Sequence, residues 1–384
     1  NAVGFFKPSL GKPVFIQSQC GAALGGPIRK NKTFFFADFE GLRRVTRQLS
    51  FITIPTVDQR QGIFGVPIRN PYTNEVYSNG IVPQSQMTDF ARKVFGQLPP
   101  PTRSGISNNY DGTPRVPSVD NKGDGRLDHY FSSSLTAFFR YSHREYNQTD
   151  NPIIPLPVGA DNSQGNVNIV NKQGAGGLTY TLGPTSLVEF RMGVGKTIGG
   201  KWPLQIGMPN MQDAYGIAGL PTDPSLAGGL NTQAINGYQG MGRRSSTPQF
   251  QNPLLVNPKV NFSKILSRHT MKMGGEFQTI HTEILDFSPQ YGQDSYSGQF
   301  SRPSGVAANT IYNVADFLYG ARATYSLANT VVVDYRQRMN FFYYQDDWKV
   351  NRKLTWNLGL RYEYATPQWE AKNRLANFDP VALK

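Results

Sequence analysis

The amino-acid sequence predicts an all-β chain, an antiparallel transmembrane β-barrel, on three observations. Apolar and polar residues alternate with a period of two. The alternating segments come in pairs joined by very short turns. Between the pairs lie connections of 27 to 78 residues (46–123, 147–173, 197–259 and 285–334). Short connections at one end and long ones at the other are the asymmetry of outer-membrane barrels, with periplasmic turns and extracellular loops. In a compact soluble domain, structureless loops this long would argue against the element assignment.

The clearest strand is 354–364. Leu354, Trp356, Leu358, Leu360, Tyr362 and Tyr364 share one face, and Thr355, Asn357, Gly359, Arg361 and Glu363 share the other. Successive strand side chains point to opposite sides, whereas a helical period would mix the two sets. Leu135, Ala137, Phe139 and Tyr141 alternate in the same way with Thr136, Phe138, Arg140 and Ser142, where Phe138 is the one exception. Val188, Phe190, Met192 and Val194 alternate with Glu189, Arg191, Gly193 and Gly195; Met271, Met273, Gly275 and Phe277 alternate with Lys272, Gly274, Glu276 and Gln278. The second face carries too many charges for a dry core, so it is read as wet. Its lumen-facing candidates are Arg140, Glu189, Arg191, Lys272, Glu276, Arg361 and Glu363.

Five hairpins follow: 21–28 with 33–45, 125–131 with 135–146, 174–182 with 186–196, 260–266 with 270–284, and 335–349 with 353–364. Turn-forming residues such as Lys30-Asn31 and Gly183-Pro184 fill the joints. Counting outlying segments, ten or eleven strands are expected. In the long connections, 87–98 and 311–319 are candidates for short helices and 294–300 for an extra strand. No repeat with a period of 20–50 residues indicates a solenoid.

Composition fits. Among 384 residues there are 39 Gly, 27 Pro, 24 Phe and 19 Tyr, and only 17% are charged. No stretch approaches 18 apolar residues, which excludes a spanning helix and leaves a barrel open. A single cysteine, Cys20, rules out a disulfide framework within one chain and a thiolate zinc site. The 39 basic and 26 acidic residues leave a net charge of +13. Lys and Arg are scattered singly or in pairs, with no basic helix or run, so no nucleic-acid partner is expected. The chain starts at Asn1 without a basic or apolar leader, and is read as a fragment.

Motifs of chemistry are weak. Gly193-Val194-Gly195-Lys196-Thr197 resembles a phosphate loop, but Phe190 holds the first glycine position. Asp120-Asn121-Lys122-Gly123-Asp124-Gly125 resembles the start of a calcium loop, but Lys122 holds a ligand position and Phe131 replaces the bidentate Glu. Of the four histidines, His129, His143, His269 and His281, His281 lies two residues from Glu283 on one strand face, so a metal pair is geometrically open, but further metal ligands are missing. His269 is placed in a turn. There is no G-x-S-x-G string, and Asp346 and Asp347, adjacent on a strand, face opposite sides. The clusters 34–36 and 341–344 suit membrane-interface girdles better than base stacking. Accordingly no enzyme, cofactor or metal site is expected.

At Gly25-Gly26-Pro27-Ile28-Arg29-Lys30-Asn31-Lys32-Thr33-Phe34-Phe35-Phe36, followed by Phe39-Glu40-Gly41, the sequence resembles the first barrel hairpin of large TonB-dependent outer-membrane receptors. The most similar group is the Oar-like receptors with a carboxypeptidase-regulatory domain, abundant in Acidobacteria. Asp124-Gly125-Arg126-Leu127-Asp128, Tyr343-Tyr344-Gln345-Asp346-Asp347-Trp348-Lys349, Leu358-Gly359-Leu360-Arg361-Tyr362-Glu363 and Ala365-Thr366-Pro367-Gln368-Trp369-Glu370 with Asn373-Arg374-Leu375 share the likeness. The resemblance implies a barrel of about 22 strands, a plug, a TonB-interaction segment and an N-terminal extension. Residues 1–20 would be the linker leaving the plug, and 21–384 the N-terminal part of the barrel, without plug and C-terminal strands. Implied partners are outer-membrane lipid, the plug, the TonB complex and a scarce or bulky ligand (siderophore, oligosaccharide or peptide) in a Gram-negative cell. The alternatives are a passive structural or adhesive outer-membrane barrel and a secreted β-sheet protein binding polysaccharide.

Overall fold

The computed structural model describes residues 13–376 and 381. Ten long strands follow one another in one antiparallel sheet: β1 Val14–Arg29, β2 Thr33–Arg47, β3 Arg115–Tyr130, β4 Leu135–Asp150, β5 Gly165–Gly183, β6 Ser186–Trp202, β7 Gln249–Leu266, β8 His269–Leu285, β9 Val333–Lys349 and β10 Thr355–Ala365. Each pairs with its neighbours in sequence, and the short strand Trp369–Glu370 adds to β9. All five expected hairpins are present, and no ladder joins β1 to β10 among the described residues.

The strands are longer than their apolar alternation. β1 begins at Val14, so Val14–Cys20 belong to the sheet and not to a linker; residues 1–12 of the expected linker lie outside the described residues. β6 runs on to Trp202 and β5 starts at Gly165. A membrane strand needs only about 9–11 residues, so the extra length stands above the bilayer, where no apolar face is required. That is why hydropathy marked the spanning part and missed the extensions.

Directly paired residues run Thr136, Thr179, Glu189, Asn261, Gly274, Tyr343, Arg361 across β4 to β10. The row starts at the second residue of β4 and ends at the seventh of β10. A stagger of about one residue per strand is the shear that tilts barrel strands.

The hydrophobic core is elsewhere. None of the residues in the buried cluster lies on the ten long strands. It is made by the connections, which fold together into a cap at the long-loop end. Four helices contribute: α1 Val57–Arg60, α2 Asp89–Gln97, α3 Met211–Tyr215 and α4 Thr310–Tyr319. Asn309 caps α4 through the Ile311 N–H (3.0 Å), and Gly320 ends it at φ +69°. Tyr312 to Tyr319 are all buried. A helix buried on every side belongs at the centre, and Phe317 touches Phe95 of α2 (ring centroids 4.7 Å) and Tyr296 (5.1 Å). The expected helices 87–98 and 311–319 are thus present, and the extra strand appears as Gln293–Tyr296.

Candidate functional site

The register puts two opposed surfaces on the sheet. One carries Phe39, Leu127, Phe139, Leu178, Phe190, Val260, Phe277, Phe342, Leu360 and Tyr362, all exposed. The other carries all seven expected lumen candidates, with ten further charges on β2, β3 and β4.

The candidates do not form one cluster. Arg140 donates to Asp124 from Nε (3.0 Å) and Nη2 (2.5 Å). Arg191 pairs with Glu189 (3.0 Å), and Arg361 with Glu363 on the same strand. Glu276 accepts from Asn257 Nδ2 (2.8 Å). Lys272 lies opposite Ser263 and Gln345 on the same face. The densest ladder is at β2–β4. Lys122 meets Glu40 (2.8 Å), Arg144 grips Asp120 with two bonds (2.8 and 2.7 Å), and Arg126 grips Asp128 (2.7 Å twice). Bidentate pairs of this kind fix geometry as well as charge.

That ladder explains the calcium-like string. Asp120, Lys122, Asp124, Arg126 and Asp128 are two apart on β3, so they share a face, and the two carboxylates of the string are each held by an arginine of β4. The i, i+2 charges were visible in the sequence; the loop motif drew attention away from them. Residues 193–197, the phosphate-loop lookalike, run straight through β6.

Phe138, the exception to alternation in β4, lies on the charged face between two guanidinium groups. Arg126 stands 4.8 Å and Arg191 4.9 Å from its ring centroid. A Cβ at Gly177 would come within 2.5 Å of the Phe138 ring and 2.7 Å of Arg191 Nη1, so glycine is what makes room. Desolvated cation–π contacts stabilise by about 1–2 kcal/mol each, exposed ones by less.

The aromatic clusters divide between the faces. Phe342 and Tyr344 are on the apolar side, while Phe341 lies under the Arg361 guanidinium (5.8 Å) on the charged side. At the turn end, Trp348 meets Trp356 edge-on (5.7 Å) and stacks on His269 (5.3 Å). His269 is the first residue of β8 and not a turn residue; its Nδ1 lies 2.6 Å from Asp346 Oδ2. A tryptophan pair at that level is what a membrane interface selects.

In the cap, one carboxylate organises three short strands, Thr232–Ile235, Gln293–Tyr296 and Thr324–Ser326. Asp294 Oδ2 accepts from Asn231 Nδ2 (2.9 Å) and Gln233 Nε2 (2.8 Å), and Oδ1 accepts from Arg322 Nη1 (2.9 Å). Tyr296 O–H donates in turn to Gln233 Oε1 (3.1 Å). Arg60 ties α1 to the end of α2 by donating to the carbonyls of Pro55, Leu98 and Pro99 (2.9, 2.7 and 2.7 Å). Burial holds its guanidinium down to about 10. Beside it a recess of about 400 Å³ opens between α1 and α2, lined by Arg60, Met87, Arg92, Phe95 and Leu98.

Asp316 on α4 is fully buried. Burial raises its carboxyl above the usual range, against the pull of the backbone N–H groups of Ser301 (2.7 Å), Phe300 (3.5 Å) and Gly298. An acid raised on folding favours its neutral form in the cap. Its contribution is full below the unfolded pKa of about 3.9 and lost as pH rises through the folded value. Amide protection of α4 is therefore expected to be higher at pH 5 than at pH 7.5. In Asp316→Asn, hydrogen exchange should show a shallower slope with pH; an unchanged slope would assign it to other groups, such as Asp161, whose carboxyl burial also raises.

The model of the outer membrane beta barrel domain family matches residues 1–384. No curated protein matches the sequence. Among solved structures, the outer membrane transporter YddB from Escherichia coli aligns with a TM-score of 0.47 at 8% identity, over 93% of this chain and 35% of that one. The open form of the ferric-catecholate import receptor Fiu from E. coli K12 aligns at 0.32 and 12%, over 91% and 52%. The chain spans about a third of the length of the first and about half of the second. It belongs to the outer membrane β-barrel domain family and resides in the outer membrane.

Proposed function

We propose that the chain is the N-terminal part of the barrel of a TonB-dependent receptor, which binds a scarce or bulky ligand at the cap and imports it through the lumen. The observation that carries this reading is the cap itself. Connections between barrel strands are cheap to leave disordered, yet these fold around a core of their own, with helices capped and carboxylates buried. An ordered surface over the barrel mouth is suited to recognising a ligand before admission. The charged face supports the same reading. If it lines the lumen, its laddered pairs offer a plug many polar contacts that can be exchanged one by one, since an exposed pair contributes only about 0–1 kcal/mol. Within the family, the string from Gly25 to Phe36 supports the Oar-like group. Capture and passage need no bond chemistry, so the protein is proposed as a non-enzyme without a cofactor.

The passive structural or adhesive barrel is the competing reading; the secreted soluble sheet gives way to outer-membrane residence. Uptake separates the remaining two. Cells carrying the full-length protein should accumulate a labelled ferric siderophore, oligosaccharide or peptide from a panel, and a protonophore should abolish accumulation without abolishing surface binding. Accumulation indifferent to the protonophore would sink the TonB-driven reading, and binding with no accumulation would favour the adhesin.

A further inference from the structure

Four cations stand at one height on the apolar surface. Arg43 lies ten residues beyond Thr33, the start of β2, and Lys196 ten beyond Ser186, the start of β6. Lys172 lies eleven before Gly183, the end of β5, and Arg338 eleven before Lys349, the end of β9. The register gives all four the same face as Phe190 and Leu178. Ten strand residues rise about 33 Å along the strand. At a tilt of about 40° that is about 25 Å along the membrane normal, the height of the apolar band in such barrels. These cations mark the outer boundary of the bilayer.

Two of them are placed against each other. Lys172 is directly opposite Lys196 on β6 and directly opposite His143 on β4. Like charges opposite one another destabilise a sheet. Among the described residues no carboxylate pairs with any of the three. Lys196 Nζ donates to the Asn252 carbonyl (3.0 Å), and His143 Nδ1 lies 3.5 Å from the Tyr141 hydroxyl. The nearest acid along the strand, Glu145, accepts from Asn147 Nδ2 (2.9 Å). Lys172 is exposed. An anion held between the two ammonium groups would turn the repulsion into attraction. At this depth, with acyl chains beside Phe190 and Val194 below, the anion in reach is a lipid head group.

We propose that His143, Lys172 and Lys196 form a binding site on the outside of the barrel for the phosphate of an outer-leaflet glycolipid. The proposal rests on the apolar face meeting lipid, and is otherwise independent of transport. Lys264 makes the contrast: it lies two residues from the turn at the other boundary and is engaged by the hydroxyls of Thr185 (3.1 Å) and Ser186 (2.8 Å).

The test uses the full-length protein folded into phosphatidylcholine vesicles containing a diphosphorylated glucosamine-disaccharide lipid, then extracted in mild detergent, with retained glycolipid read by mass. Wild type and Lys264→Gln are expected to retain at least tenfold more than Lys172→Gln/Lys196→Gln, while Lys172→Arg/Lys196→Arg restores retention. Equal retention by the glutamine double variant, or equal retention of the dephosphorylated lipid, overturns the proposal. A fluorescent label on Lys196→Cys in a Cys20→Ser background reads orientation separately, through quenching by brominated acyl chains. A label blind to the lipid overturns site and orientation together; a quenched label with undiminished glycolipid overturns the site alone.

Discussion

Phe190→Arg is expected to destabilise the membrane-embedded protein by about 2–4 kcal/mol, the cost of a guanidinium on the lipid face near the midplane. Phe190 is 42% exposed, four residues into β6 and six before Lys196, with Leu178 and Val260 directly opposite on its two neighbours. Among the described residues, the same-face neighbours of Phe190 on β5, β6 and β7 (Gly176, Leu178, Tyr180, Val188, Met192, Pro258, Val260 and Phe262) include no carboxylate to receive an arginine there. Gln173→Arg, on the charged face of β5 between Ser142 and Gly195, should change stability by less than about 1 kcal/mol, because it enters a surface already laddered with ions. Equilibrium unfolding in vesicles measures both. Similar costs for the two would contradict the assignment of faces. Leu358 is the obvious alternative from alternation alone, but the register sets it opposite Asp346. An arginine there would gain a partner and understate the penalty.

Alternation was enough to find the hairpins and the two faces, because one face is mainly apolar and the other mainly polar and charged. It failed where that contrast ends. Val14–Cys20 extend β1 although Gln17, Ser18 and Gln19 are polar on both sides, since above the bilayer a strand is held by backbone pairing alone. Phe138 broke the pattern for a local reason, two guanidinium groups from β3 and β6, and such cross-strand partners need the register before they can be read. The ladder through Asp120, Asp124 and Asp128 was legible as i, i+2 spacing, but its partners Arg140 and Arg144 are 16 and 24 residues away. The cap was the least legible part. Only its helices carried a period; its strands are two to four residues long, and Thr232–Ile235 finds its partner Gln293–Tyr296 in a different connection.

Asp294→Ala is expected to open the cap while leaving the barrel intact. The substitution removes the acceptor for Asn231 and Gln233, both almost wholly buried, and for Arg322. A buried donor left without a partner costs about 1–3 kcal/mol, and breaking a buried ionic contact about 3–5. Because Arg322 is half exposed (49%), water can take over its share, which holds the total near 3–5 kcal/mol. With a tenfold change per 1.4 kcal/mol, amide exchange around Ile235, Tyr296 and Phe317 should quicken by about a hundredfold or more, with the amides of β5 to β8 unchanged. Arg322→Gln leaves Asp294 with both buried amide donors and should cost about 1 kcal/mol or less. The comparison bears on function as well as folding. A receptor that recognises its ligand on the ordered cap should lose binding in Asp294→Ala and keep it in Arg322→Gln, at equal abundance in the outer membrane. Binding that survives an opened cap would move recognition down into the lumen, where the arginine ladders of β3, β4 and β6 would have to supply it.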